Sequence, residues 1–305
     1  VRIDTHKNPL RIRTAESQER RLAWVLVLPS ILLIFGLTIY PVLYSFWLSL
    51  NNVSLLNPVR SFAGLNNYIE ILSSQAFWAA LGRTFYFVLI SLSVQTVAGL
   101  TFALVLNQPF YGRGFVRALI LLPWAIPNIV NGVMWEWILN SSYGALNGIL
   151  LQIGIISEPI QWLSKPWLAL NMVILADTWK VIPLYVIMFL AGLQTIPKDL
   201  YEAARIDGSG VWRSFFSITL PLLKPILLVI LVLRTMQCFG VFDIVYIMTK
   251  GGPADGTMVI SFFTYFQTFG KLNFGMGSAI SFLVAFVVLS ISLVYMRLLK
   301  TDEAD

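Results

Sequence analysis

Apolar residues along this chain come in stretches too long for one face of an ordinary globular helix. Segments 22–50, 84–106 and 272–296 contain no Asp, Glu, Lys or Arg, and each exceeds the ~18 residues that mark a bilayer-crossing helix. Three further stretches are interrupted by a few charges: 118–139 by Glu136, 167–194 by Asp177 and Lys180, and 226–248 by Arg234 and Asp243. Hydrocarbon offers no water to satisfy an open sheet edge, so all six are expected to be helices. The pattern predicts an all-α polytopic membrane protein with six transmembrane helices. One membrane domain over 22–299 is expected between a polar tail at 1–21 and a second tail at 300–305.

Between the fourth and fifth stretches, segment 197–221 is too charged to cross a bilayer. Pro197 reads as a first helical residue, Asp199 places negative charge at the positive helix start, Arg205 sits in the last turn, and Gly208 is placed to end the helix. After Gly210, the residues Val211, Trp212, Phe215, Phe216 and Ile218 repeat at three-to-four spacing. That spacing predicts a second amphipathic helix, which Pro221 and Pro225 are expected to separate from the next span. The expected product is a helix-turn-helix bracket lying on one face of the membrane.

Composition agrees with the pattern. The 305 residues are 57% hydrophobic and 12% charged, with a mean hydropathy of +0.77, values outside the range of soluble globular chains. Of the 21 Lys and Arg, most fall in the two tails, the 107–117 connection and the bracket. The opposite side holds only Arg60, Arg83, Lys165, Lys250 and Lys271. The positive-inside rule then places both termini and the bracket in the cytoplasm. The net charge of +6 is spread over these flanks and is not gathered into a groove, so it points to lipid headgroups and not to nucleic acid.

The bracket's sequence is specific. The order Glu202-Ala203-Ala204, then Asp207-Gly208, Phe215, and Ile218 to Leu220-Pro221 resembles the EAA loop of the permease subunits of binding-protein-dependent ABC importers. Ser209 stands where that family more often has Ala. Phe242-Asp243, Met248-Thr249, Lys250-Gly251-Gly252-Pro253 and Thr257 resemble the corresponding region of its maltose-type carbohydrate-uptake branch. The resemblance extends from the first span to the last. It implies that Glu202, Ala203, Ala204, Asp207, Gly208 and Phe215 belong to a coupling helix that docks into a separate ATPase. It further implies a second permease subunit forming a heterodimer, an ATPase dimer that binds ATP and Mg, an extracytoplasmic solute-binding protein, and a di- or oligosaccharide substrate. The location it implies is a bacterial or archaeal inner or plasma membrane.

Charges inside spans line pathways or pair with each other more often than they do anything else. At about 1.5 Å per residue, Asp177 and Arg234 fall near mid-depth on the two spans that flank the bracket. Lys180 lies on nearly the same helix face as Asp177, and Gln237, Cys238 and Val241 share the face of Arg234. Asn128 and Asn131, one turn apart after Pro127, are candidates for the wall of the same polar cavity. A purely structural Asp177–Arg234 pair is the alternative. Trp135, Trp179, Tyr185 and Tyr246 occupy the same spans and could offer faces to a sugar or anchor the spans at the interface.

The chain's chemistry argues against an enzyme. No G-x-x-x-x-G-K-[ST] sequence is available to cradle phosphates, the sole His is His6, no Cys–His cluster could hold a metal, and no G-x-S-x-G elbow occurs. No cofactor or metal is expected in this chain. Cys238 is the only cysteine, so no intrachain disulfide can form. Two other readings stay open: a permease for an anionic, glycerol-phosphate-type solute, to which Lys180 and Arg234 would lend positive charge, and a membrane scaffold that transports nothing.

Overall fold

The computed structural model describes residues 9–56 and 60–298; Val1–Asn8 and the expected tail at 300–305 lie outside them. In chain order, α1 (Pro9–Ile34) and α2 (Tyr40–Ser49) are joined by a π turn at Phe35–Ile39. A two-stranded antiparallel ribbon, β1 (Asn51–Asn52) and β2 (Ser61–Phe62), pairs Asn51 with Phe62 and Asn52 with Ser61. Then come α3 (Asn66–Ser73), α4 (Gln75–Asn107), α5 (Arg113–Ala125), α6 (Asn128–Ile138), α7 (Ala145–Gln152) and α8 (Pro166–Thr195). The bracket holds α9 (Lys198–Ile206) and α10 (Val211–Ser214), followed by a π turn at Phe215–Thr219 and α11 (Leu220–Phe239). The chain closes with α12 (Asp243–Met248), α13 (Ile260–Tyr265), a π turn at Phe266–Gly270 and α14 (Phe274–Leu298).

Among the described residues, five helical units are long and apolar enough to cross a membrane: Arg20–Ser49, Gln75–Asn107, Pro166–Thr195, Val211–Met248 and Phe274–Leu298. The sixth expected span, 118–139, is not one straight helix. It is the pair α5 and α6, bent by 93°. Helices of 13 and 11 residues reach only about 20 and 16 Å, too short to cross alone. The cause is Pro127, which lacks an N–H and holds Ile126 in extended conformation, at φ −71° and ψ 129°.

Two other boundaries differ from expectation. The helix of the first span begins at Pro9, inside what the sequence offers as a polar tail. Pro221 and Pro225 do not separate the bracket from the fifth span; α11 runs through both. The π turn at Phe215–Thr219 widens the helix just where the Pro221 ring would meet the carbonyl of Ser217, four residues back. The break in this span falls at its far end instead, where Gly240 caps α11 before α12 starts at Asp243.

The core sits around α4 and α8. One cluster, including Phe87, Leu170, Val173, Val245 and Ile280, fills the end away from the bracket. A second, including Tyr185, Phe189, Leu193, Leu223 and Ile230, fills the end next to the bracket. A Cβ at Gly99 of α4 would overlap Cβ of Tyr185 on α8, so glycine here sets how closely the two helices pack. Close approach through a small residue is the usual basis of helix association in lipid, where apolar surface supplies little drive of its own. In the loops at that same end, Asn67 of α3 donates to the carbonyls of Ser49 and Asn51 at 2.8 and 3.1 Å, and Asn147 of α7 bridges Ile160 and Trp162.

Candidate functional site

The bracket is built as an exposed turn on a rigid foot. Pro197 caps α9, with Asp199 in its first turn and Arg205 in its last. Gly208 ends the helix at φ +74°. Its N–H donates to the Arg205 carbonyl at 3.0 Å, and Ser209 N–H donates to the Ala204 carbonyl at 2.8 Å, which is the Schellman closure. A Cβ at 208 would meet no neighbour within 4 Å, so the backbone conformation and not space calls for glycine.

Glu202, Ala203, Asp207 and Gly208 are exposed, while Ala204 and Phe215 are half-buried. Beside them Ile206, Val211 and Trp212 are 87%, 86% and 76% exposed, a cluster of apolar side chains uncovered at the tip. The opposite face of the bracket is anchored: Tyr201 and Ile218 pack on the Leu193, Ile196 and Leu223 cluster, and the Tyr201 and Thr219 hydroxyls lie 2.9 Å apart. The periodicity of the sequence points to Val211 and Trp212 but not to Ile206 or to the Tyr201–Thr219 link. That link spans 18 positions with a turn between them and has no sequence period to mark it.

The intramembrane charges form two linked groups. In the first, Arg234 of α11 pairs with Asp177 of α8, the one ion pair among the described residues. Arg234 also donates to Gln95 of α4 at 3.0 Å and to Gln237 at 3.4 Å, and Gln95 donates to Asp177 at 3.5 Å. Asp177 and Arg234 are 8% and 6% exposed, and Gln95 is fully enclosed. Three helices thus share one charge-neutral network, and truncating a single member would leave a buried group unpaired. Nothing in the sequence marks Gln95, because an amide in a charge-free stretch carries no charge signal.

In the second group, Lys180 of α8 donates to Asn128 at the start of α6, and Asn128 donates to Asp243 of α12 at 3.0 Å. The bend at Pro127 is what aims Asn128 across to α8 and α12. Asn131, one turn on, is buried and donates to the Ala176 carbonyl at 3.2 Å. Its Oδ1 and the nearby Trp135 Nε1 and Thr178 Oγ1 have no partner among the described residues. Trp135 and Trp179 meet edge to face at 5.9 Å. Cys238 lies in the core cluster, with Val241 packed against it. Gln237 is exposed beside the network.

The described residues form a bundle of long apolar helices with a charged, bracket-shaped turn between α8 and α11 and an ion pair joining those two helices, an architecture of membrane-embedded subunits. Residues 95–301 match the family described as binding-protein-dependent transport system inner membrane component, and the chain belongs to that family. It is 43% identical over 280 residues to the trehalose/maltose transport system permease protein of Thermococcus litoralis, covering 92% of this chain and 94% of that one. It is 35% identical over 304 residues to the sulfoquinovosyl glycerol transport system permease protein of Agrobacterium fabrum, covering 99% and 98%. The trehalose transport system permease protein of Mycobacterium tuberculosis is 36% identical over 281 residues, covering 92% and 89%. The fold matches a chain of a bacterial ABC transporter involved in import of the acidic polysaccharide alginate, with a TM-score of 0.81 at 23% identity over 96% of this chain and 100% of that one.

Proposed function

We propose that this chain is the permease subunit through which an ABC importer takes up a neutral di- or oligosaccharide handed over by a solute-binding protein. It pairs with a second, related permease, and two ATPase subunits that bind ATP and Mg engage the bracket. Both termini and the bracket face the cytoplasm, a reading supported by the basic flanks. The observation that carries this reading is the exposed tip around Glu202, Gly208, Val211 and Trp212, standing on a foot continuous with α11. Closure of the ATPase pair moves the tip, and α11 and α8 follow because Tyr201–Thr219 and the adjoining core join them.

At the other end of that lever lie the two polar groups. Movement of α11 against α8 strains the Asp177–Arg234 pair and frees its hydrogen-bonding capacity to sugar hydroxyls, while Lys180, Asn128, Asn131 and Gln237 line the route beside it. Cys238 and Val241 contribute the packed wall behind. An anionic solute is disfavoured by the charge balance: Asp177 offsets Arg234, and Asp243 reaches Lys180 through Asn128. The relatives named for trehalose and maltose support a neutral sugar. The test is uptake of radiolabelled trehalose and maltose by cells with and without this chain. Loss of uptake on deletion, restored by the intact gene, is expected; undiminished uptake of both sugars, with lost uptake of a glycerol phosphate, would replace the sugar by the anion.

A further inference from the structure

At the end of the bundle away from the bracket is a pocket of about 370 Å³, formed where α2, α13 and the following π turn meet α14. It lies outside both polar groups described above. Six of its lining residues carry a hydroxyl: Ser45, Ser261, Thr264, Thr268, Ser278 and Ser281. Most have already spent their protons. Thr264 donates to the Ile260 carbonyl and Thr268 to that of Thr264, both at 2.8 Å; Ser281 donates to the Gly277 carbonyl at 3.0 Å, Ser261 to that of Val241, and Ser45 to Ser278 Oγ at 3.3 Å. A hydroxyl whose proton is engaged still presents lone pairs, so the polar part of this largely apolar wall chiefly accepts hydrogen bonds.

The remaining lining defines the ligand further. Among the described residues no charged side chain borders the pocket, and Phe242, Tyr265 and Phe269 supply ring faces. A ligand that suits it is neutral, rich in O–H donors and carries flat apolar C–H surface, which is the description of a sugar. The volume falls in the range of small-molecule sites, ~300–1,000 Å³. The shape is held by the backbone: Thr268 and Phe269 sit in the π turn Phe266–Gly270, a distortion that recurs at functional positions. A Cβ at Gly277 would overlap Thr268 Oγ1, so the glycine keeps that hydroxyl in place against α14.

We infer that this pocket is an outer sugar subsite, distinct from the mid-depth groups, where the incoming saccharide rests before it reaches Asp177 and Arg234. The inference relies on the sugar-importer reading above. Its position fits that order, since Phe242 and the Val241 carbonyl join its wall to the break between α11 and α12.

The experiment uses the assembled transporter, with its partner permease, ATPase subunits and binding protein, in phosphatidylcholine nanodiscs and proteoliposomes. Ser281 is exposed at the rim while the native Cys238 is fully buried, so Ser281→Cys reports on the pocket through its rate of reaction with a maleimide. Millimolar maltose or trehalose is expected to slow that reaction about fivefold or more. Joint replacement of Thr264 and Thr268 by Val keeps shape and removes two acceptors; it is expected to raise the uptake KM roughly tenfold, with kcat and sugar-independent ATP hydrolysis unchanged, and Ser at both positions restores the KM. Labelling that sugar does not slow overturns the inference, as does slowing seen only when a glycolipid is added, an introduced thiol sealed off by the partner permease, or an unchanged KM in the Val pair. If the Val pair does not assemble, the labelling result decides. Failure of the intact transporter to take up either disaccharide would instead sink the sugar-importer reading itself.

Discussion

Tyr201 Oη and Thr219 Oγ1 lie 2.9 Å apart, tying the first helix of the bracket to the π turn at the foot of α11. Thr219 is buried and Tyr201 half-buried, so the bond closes the bracket into one body with the span that carries Arg234. Tyr201→Phe keeps the ring in its packed place and removes the link, at a cost of about 1 kcal/mol. We expect this variant to insert and bind the ATPase normally while consuming more ATP per sugar imported. An unchanged ratio of ATP hydrolysed to sugar accumulated in proteoliposomes would show that the bond does not transmit motion.

Gly208 supplies the second prediction. Its φ of +74° costs a β-branched residue about 1 kcal/mol or more, and that strain opens the Schellman closure supporting Asp207 and Ser209. Gly208→Val is expected to lower uptake severely with membrane levels retained, whereas Gly208→Asn, which tolerates the left-handed region, keeps most of it. Equal activity of the two variants would locate the need for glycine elsewhere.

The Asp177–Arg234–Gln95 network gives a sharper separation. Asp177→Asn alone strands the buried guanidinium, a penalty of roughly 3–5 kcal/mol in a dry site, and is expected to reduce assembled transporter on a native gel. Asp177→Asn combined with Arg234→Gln removes both charges and is expected to restore assembly but not uptake. Restored uptake at the wild-type rate in the double variant would confine the pair to packing.

Gly99 tests the bundle itself. A Cβ at this position overlaps Tyr185, so Gly99→Leu must push α4 from α8 and is expected to destabilise the protein by about 1–3 kcal/mol. Lower thermal stability of the detergent-solubilised transporter is the readout, and Gly99→Ala is expected to show a smaller drop.

Much of this fold is legible from the chain because lipid imposes a simple code. Stretches such as 84–106 and 272–296 have no charge to place, and only helices can occupy that environment. Proline is where the code becomes ambiguous. Pro127 breaks a helix and Pro221 does not, because the π turn just before Pro221, invisible to propensity, makes room for its ring. The bracket is legible since Asp199, Arg205 and Gly208 mark its ends locally. Gln95, Ser45 and Thr268 are not, because a neutral polar group in an apolar stretch acquires a role only from residues far away in sequence. Arg234 meets Gln95 across 139 positions, and Ser45 meets Ser278 across 233.

The central claim is that the bracket of this chain couples ATP hydrolysis to movement of a sugar across the bundle. It is tested most directly in proteoliposomes containing this chain, its partner permease and the ATPase subunits, with binding protein and labelled trehalose or maltose on the binding-protein side. The account predicts ATP-dependent accumulation of sugar that ceases when Glu202 and Trp212 are both replaced by Ala, with the transporter still inserted. Accumulation that continues at the wild-type rate in that variant, or that proceeds without this chain, would contradict it.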